Sequence, residues 1–425
     1  MPSEKPSLAP PRGMRDFYPE DMALRNRIFD AWKRAAELFA FQPYDACVVE
    51  SLDLLERKAG EEIIEQIYAF SDKSGRRLAL RPEMTPSLAR MVAARQSALA
   101  FPLKWYAIAQ CFRYERMTRG RKREHYQWNL DIIGEATVAA EAEVIAAAVC
   151  ALDLLHIPMS AFRVHYNSRA LLADLLSHAG VPRHLHHATF LALDKRGKVS
   201  VDEIVAMLQA AGMEAGTVHA VLKVAELKTL DDVTRLLGRD NQALKQLQQL
   251  NDLLAVYGLT DCVVFDISVV RGLSYYTGVV FEAFDTAREF RAIFGGGRYD
   301  NLLSEIGGRP ATGVGLGFGD VVVSEILRKN EASLPSLPVV DLAIGFMQPE
   351  QQPLAVAVAS AWRRKGKTVD LALSPEKPKP FFARVGKGGC REAVYIGPDD
   401  VAAGQLRIKD LASRTERSVT ISTLL

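Results

Sequence analysis

The chain of 425 residues carries 53 Lys and Arg against 51 Asp and Glu, with 48% hydrophobic and 24% charged residues. Such a composition suits a soluble globular protein with material for two to four domains. The net charge of +2 excludes bulk basicity as a determinant of nucleic-acid binding, so any such surface has to come from local clusters. Cys47, Cys111, Cys150, Cys262 and Cys390 are odd in number, far apart and without a CxxC pair. They argue against a disulfide framework or a zinc ribbon, and the expected compartment is the reducing cytoplasm. No signal peptide or membrane span is expected.

In chain order, a Pro-rich segment over residues 2–12 precedes a helix expected from Asp21 to Phe39, where Leu24, Ile28, Trp32, Ala36 and Phe39 recur at helical spacing. A strand-like run, YDACVVE (Tyr44–Glu50), and further helix follow. From Trp105 to Glu115, period two places Ala107, Ala109, Cys111, Arg113 and Glu115 on one face of a strand. A basic loop spans Arg116 to Glu124. A return strand from Tyr126 to Ile133 puts Tyr126, Trp128, Leu130 and Ile132 on a greasy face, and Gln127, Asn129 and Asp131 on a polar one. A polar face on a central hairpin must be solvated or occupied by a ligand. An Ala-rich helix is expected over 139–155, and helices broken at GVPRH, GMEAG and GRDN over about 171–257. Val263–Val270 and Val279–Phe284 read as strands, GGGRYD (Gly295–Asp300) as a turn, and SLPSLP (Ser333–Pro338) as a linker. The remainder alternates apolar runs with helical ones, from DLAIGF to QLRIKDL, as a small α/β domain does.

Three segments carry the chemistry. The hairpin gathers Arg113, Glu115, Gln127 and Asp131, with Arg121 in the loop, a set able to hold a polyphosphate through Arg forks beside a small polar molecule. In LRPEMTPSLAR (Leu80–Arg90), Glu83 and Thr85 lie between two stiffening prolines. RGLSYYTG (Arg271–Gly278) and GGGRYD combine a cation, tyrosines and glycines. Three consecutive glycines contribute nothing to a core and are best explained by close approach of a ligand or backbone. His184, His186 and His187 have no Cys or acidic neighbour at ligand spacing and read as packing, so no protein metal site is expected.

These segments resemble the histidyl-tRNA synthetases. FRYE with its basic loop and return strand is similar to motif 2 of the class II synthetases, LRPEMT to a histidyl signature, and RGLSYYTG with GGGRYD to the two histidine-specific motifs. The resemblance covers about Arg12 to the C-terminus. It implies an α/β (α+β) fold: a class II-like antiparallel-sheet catalytic domain flanked by helices (1–168 and 259–332), a helical insertion (169–258) and a small C-terminal α/β anticodon-binding domain (337–425). It implies activation of L-histidine with ATP, the nucleotide bringing Mg²⁺ with it, then transfer to tRNA(His) by a homodimer.

The implied roles follow residue by residue. Arg113 holds the ATP α-phosphate and the amino-acid carboxylate, Glu115 reads the adenine amino group, Arg121 reaches the γ-phosphate and His125 stacks on adenine. Glu83 and Thr85, helped by Gln127, hold the histidine α-amino group. Asp131 and Tyr276, with Tyr275 beside them, meet the imidazole. Arg271 stands in for a metal ion near the α-phosphate. Lys365, Lys367, Lys377, Lys379, Arg384 and Lys387 offer phosphate contacts in the last domain. The chain departs from the family pattern at Cys47, where motif 1 has proline, at Ser274, where Asp is common, and at Asp320, where motif 3 has an arginine for the γ-phosphate. Arg121 or Arg309 could compensate for that arginine. The competing expectation is a non-catalytic, histidine-sensing regulatory subunit of ATP phosphoribosyltransferase; a class II enzyme for another amino acid is disfavoured by the paired RGLSYYTG and GGGRYD.

Overall fold

The computed structural model describes residues 7–56, 64–118, 120–196, 199–271, 275–329 and 340–425. The chain forms two compact units, residues 1–16 with 24–334, and residues 17–23 with 335–425.

An eight-stranded sheet organises the first unit. Its strands are β1 (Gln42–Pro43), β5 (Leu103–Phe112), β6 (Glu124–Ile133), β7 (Phe162–Ser168), β8 (Val263–Phe265), β9 (Val279–Asp285), β10 (Phe294–Arg298) and β11 (Gly313–Gly319), in the spatial order β1-β5-β6-β11-β10-β9-β7-β8. The central pairs from β5 through β7 are all antiparallel. A small three-stranded sheet holds β2 (Val49–Ser51), β3 (Ala69–Ser71) and β4 (Arg77–Leu80).

The two faces of the large sheet differ because the strands alternate in side-chain size. One face presents an aromatic from each of four neighbouring strands: Trp128, Phe318, Phe294 and Phe281, with successive ring centroids 6.2, 5.4 and 6.5 Å apart. Helix Pro19–Leu38 closes this face through Trp32, stacked on Trp128 at 6.2 Å, with Ile28, Ala35 and Ala36 fully buried around it. Burying a side chain the size of Ile28 contributes about 1.5–3 kcal/mol, and an alanine less. The Ala-rich helix Ala139–Leu154 joins the same core, and Glu141 at its start is buried only because Arg298 forks onto it at 2.7 Å. From Arg169 to Val256 the described chain is almost entirely helical. Helices Val201–Ala210 and Leu230–Leu237 each begin with a capping box, Ser200/Glu203 and Thr229/Asp232. Their apolar stripes belong to the same hydrophobic cluster as the sheet.

The other face is built from small residues. Ala107, Ala109 and Cys111 on β5 lie opposite Asn129, Gln127 and His125 on β6, as the period-two reading expects. Strand ends differ from expectation. β5 stops at Phe112, so Arg113 and Glu115 stand beyond the strand, although the Arg113 N–H still donates to Arg123 O at 3.0 Å. YDACVVE is strand only from Val49, and Val263–Val270 only to Phe265. Beyond Phe265 the chain turns while Ile267, Val269 and Val270 stay buried, which gives a turn the apolar signature of a strand. GGGRYD is no turn: Gly295, Gly296 and Gly297 run through β10, at the centre of the sheet. SLPSLP and Ser274 lie outside the described residues.

In the second unit the five strands are β12 (Val340–Phe346), β13 (Val369–Leu371), β14 (Cys390–Ile396), β15 (Gln405–Asp410) and β16 (Glu416–Thr420), ordered β13-β12-β14-β15-β16. The parallel pairs β12–β13 and β12–β14 need crossovers, supplied by helices Gln352–Arg364 and Pro378–Lys387. The apolar runs expected to be strands are strands, and β16 is a further one that its polar sequence did not announce.

Candidate active site

The small-residue face of the large sheet is a trench with carboxylates in it. Asp131, on β6, is buried and accepts a 2.5 Å hydrogen bond from Tyr299 through one oxygen. Its other oxygen has no partner among the described residues. Burial pushes its pKa up to about 7, against the stabilising bond from Tyr299. Space for this carboxylate comes from Gly315 on the neighbouring β11, where a Cβ would stand 2.2 Å from Asp131 Oδ1.

Glu83 is the second buried carboxylate. It precedes helix Thr85–Arg95, whose Pro86 sits in the first turn. Tyr275 donates to its Oε2 at 3.1 Å, and Oε1 is left without a partner among the described residues. Burial raises its pKa, offset by the charges of Arg113 and Arg271. An unpaired buried carboxylate oxygen costs about 1–3 kcal/mol or more, so two in one trench mark places where a ligand's donors belong. Thr85 is buried at the start of the helix. Gln127 donates to Asn129 at 3.0 Å and faces His125 at 3.4 Å. The His125 pKa is pushed down to about 3 by burial and by Arg113, so this ring is neutral and available to stack.

The tyrosines line one side. Tyr275 lies 4.9 Å from Tyr276 and 6.1 Å, edge-on, from Tyr299. Arg271 reaches in beside them, its guanidinium 5.8 Å from the Tyr276 ring and its Nη1 2.9 Å from Glu282. Burial opposes its charge, but Tyr276 and Glu282 outweigh burial and keep it protonated. Gly295 makes room for this side chain, since a Cβ there would lie 1.8 Å from Arg271 Nη1. Gly296 and Gly297 meet backbone, a Cβ on them lying 2.1 Å from Gly315 O and 2.6 Å from Val279 O, so the run is a close-approach device, against backbone as its sequence suggested and, at Gly295, against a side chain.

Arg113 is fixed by a 2.9 Å bond from its Nε to Pro82 O, and among the described residues its terminal amines have no hydrogen-bond partner. Glu115 pairs with Arg121 at 2.7 Å. Asp320 begins helix Asp320–Lys329 and is buried. Its oxygens are taken by Tyr126 N at 2.9 Å and by Arg15 at 3.0 Å, and Arg15 also binds Glu124 at 2.6 Å. The position expected to carry a phosphate-binding arginine thus carries an acid matched to an arginine from the N-terminal segment. Arg309 is exposed, with its backbone paired to Gln96.

The structure brings Glu83, Thr85, Arg113, Gln127, Asp131, Arg271, Tyr275 and Tyr276 to one face of one sheet and its rim. Sequence reasoning missed Tyr299, inside a segment it had singled out, and the alternating glycines of GVGLGFG, whose period of two signals a strand with one bare face. His186 is a packing residue, bonded at 3.1 Å to Val181 O. In the second unit Arg384 pairs at the surface with Asp370 at 2.5 Å and Glu376 at 3.4 Å.

Comparison with known proteins agrees with this geometry. The family described as Histidyl-tRNA synthetase matches residues 13–320. A chloroplastic/mitochondrial histidine–tRNA ligase of Arabidopsis thaliana is 43% identical over 99% of this chain and 87% of its own. A histidine–tRNA ligase of Opitutus terrae is 37% identical over 96% and 94%. The crystal structure of histidyl-tRNA synthetase from Nostoc sp. PCC 7120 superposes with a TM-score of 0.79 at 22% identity, covering 99% and 98% of the two chains, a likeness of fold. A Bacillus halodurans C structure titled as an ATP phosphoribosyltransferase regulatory subunit/histidyl-tRNA synthetase has a TM-score of 0.77 at 24% identity, over 92% and 99%. With the family matched over most of its length and relatives this similar covered almost end to end, the chain belongs to the histidyl-tRNA synthetase family.

Proposed function

We propose that this protein activates L-histidine with ATP and transfers it to the 3′ end of tRNA(His). One observation carries the reading: two buried carboxylates, Glu83 and Asp131, each hold an oxygen unpartnered among the described residues, in a trench walled by three tyrosines. Histidine offers a donor for each, its α-ammonium for Glu83 and a ring N–H for Asp131, with Tyr276 at the second ring nitrogen. Thr85 and Gln127 assist at the ammonium.

Arg113 and Arg271 converge on the position of the α-phosphate. A histidine carboxylate oxygen attacks that phosphorus, the new P–O bond forms as the bond to the β-phosphate oxygen breaks, and pyrophosphate leaves. The two guanidiniums stabilise the charge that builds on the phosphoryl oxygens. The terminal ribose hydroxyl of tRNA then attacks the acyl carbon, the bond from that carbon to the phosphate oxygen breaks, and the hydroxyl proton passes to a phosphate oxygen of the departing AMP. No protein nucleophile is required. Glu115 and Arg121 meet adenine and the distal phosphates, and neutral His125 stacks on the base. Mg²⁺ would arrive with the ATP phosphates, as it commonly does with nucleotides.

A homodimer and a cytoplasmic home complete the proposal. Five free cysteines support a reducing compartment; the Arabidopsis relative is named for organelles, so fractionation of the native protein decides. No described helix is long and apolar enough to cross a membrane. The regulatory-subunit reading is disfavoured, since the curated relatives covered over nearly their full length are named as ligases. Charging of tRNA(His) with labelled histidine is the direct test. Charging that needs ATP and the cognate tRNA supports the proposal, and its absence with all substrates present counts against it.

A further inference from the structure

Arg271 is one of five described non-glycine residues with a positive φ, at 59°. L-residues rarely adopt that conformation, and it persists only where the surroundings impose it. The surroundings here converge on one side chain. Ser168 ends β7 and caps helix Arg169–His178, which fixes Arg169 at the first helical position. The Arg169 guanidinium donates from Nε to Val270 O at 3.1 Å, from Nη2 to Arg271 O at 2.5 Å and from Nη1 to Tyr276 O at 3.0 Å. Its backbone N–H donates to Gly278 O at 2.9 Å. Two positions earlier, Asn167 donates to Ile267 O at 3.0 Å and Val269 O at 3.1 Å. The end of β7 therefore grips the carbonyls leading into Arg271 and those leading out past Tyr276.

We infer that Arg169 is a positioning residue for the adenylation step: by bridging the carbonyls of Arg271 and Tyr276 it sets the phosphate-facing guanidinium and the imidazole-facing phenol in register. The inference rests on the function proposed above for those two residues. Geometry explains why arginine serves. Three donors in a rigid planar fork reach three carbonyls at once, whereas an ammonium group is a compact point charge on a flexible stem. Burial opposes the Arg169 charge and lowers its pKa, and Tyr276 and Asp194 offset only part of that. Its guanidinium also packs 5.7 Å from the Phe190 ring, on helix His186–Asp194. Through this residue the helical segment contacts the segments that carry Arg271 and Tyr276.

The test is histidine-dependent exchange of pyrophosphate into ATP, with the full-length protein and its Arg169→Lys and Arg169→Ala variants. A misplacement of about 1 Å in a reacting geometry costs on the order of 10²-fold in rate. Arg169→Lys is expected to lose kcat on that order, with KM for ATP within about twofold and the thermal midpoint within a few degrees of the parent. Added guanidinium ion at tens of millimolar is expected to restore part of the rate to Arg169→Ala and none to the parent. Near-parental exchange in both variants overturns the inference. So does a loss that follows a collapse of the thermal midpoint and is not rescued by guanidinium, which marks a merely structural residue. An unaltered protein that supports no exchange refutes the adenylation reading itself, and this inference falls with it.

Discussion

Asp131 shows how a single carboxylate reports on its surroundings. Its folded pKa of about 7 lies well above the value of about 3.9 for an exposed Asp. The folded state therefore holds an extra proton between those values, and folding stability falls as pH rises from about 4 to about 7. Below that window both states are protonated and the cost vanishes; above it the cost is complete. Asp131→Asn removes the titration, so its thermal midpoint is expected to climb relative to the parent between pH 5 and pH 8. A constant difference across that range would show that Asp131 titrates normally. The residue was legible in the sequence as a polar position on a central strand. Its partner Tyr299 was not, because a tyrosine after three glycines reads as turn chemistry until β10 and β11 are seen to run side by side.

At the scale of elements, the hairpin β5–β6 was readable from its alternation, since period two with one greasy and one polar face is what a strand at the edge of a core requires. The triple-glycine strand β10 was not. Glycine signals turns and weak strands, yet Gly295 lies mid-sheet because Arg271 needs the volume a Cβ would fill. Gly295→Ala is expected to displace Arg271 and lower exchange by on the order of 10²-fold while near-native circular dichroism is retained; unimpaired exchange would contradict that crowding. The N-terminal segment was likewise opaque. Arg15 bridges Glu124 and Asp320 across more than a hundred residues of sequence, and only the fold brings them together. Removing the cation leaves two buried acids facing each other. Breaking a fully buried pair costs about 3–5 kcal/mol; Arg15 keeps 19% of its side chain exposed, so Arg15→Ala is expected to cost less, about 2–3 kcal/mol in urea unfolding. Adding Asp320→Asn should recover part of it, and a further loss on that addition would contradict the lock.

For the whole molecule, the chain divides into two units, and every residue assigned to histidine or ATP falls in the first. If the second unit serves tRNA recognition, deleting residues 337–425 is expected to lower tRNA charging at least tenfold more than exchange, read from parallel assays on one preparation. Equal losses would mean that the second unit supports the catalytic unit rather than the tRNA. The C-terminal α/β alternation was plain in the sequence because its strands are short apolar runs between helices. The helical stretch from Arg169 was recognisable as helix, but its service to the active site through Arg169 depends on carbonyl directions that no sequence pattern records. The central claim is that the Glu83–Asp131 trench and the Arg113–Arg271 pair activate histidine. Exchange of labelled pyrophosphate into ATP tests it most directly: the account predicts exchange that requires L-histidine and disappears in a folded Arg271→Ala variant, whereas a protein that binds histidine but supports no exchange, or an Arg271→Ala variant with near-normal exchange, would contradict it.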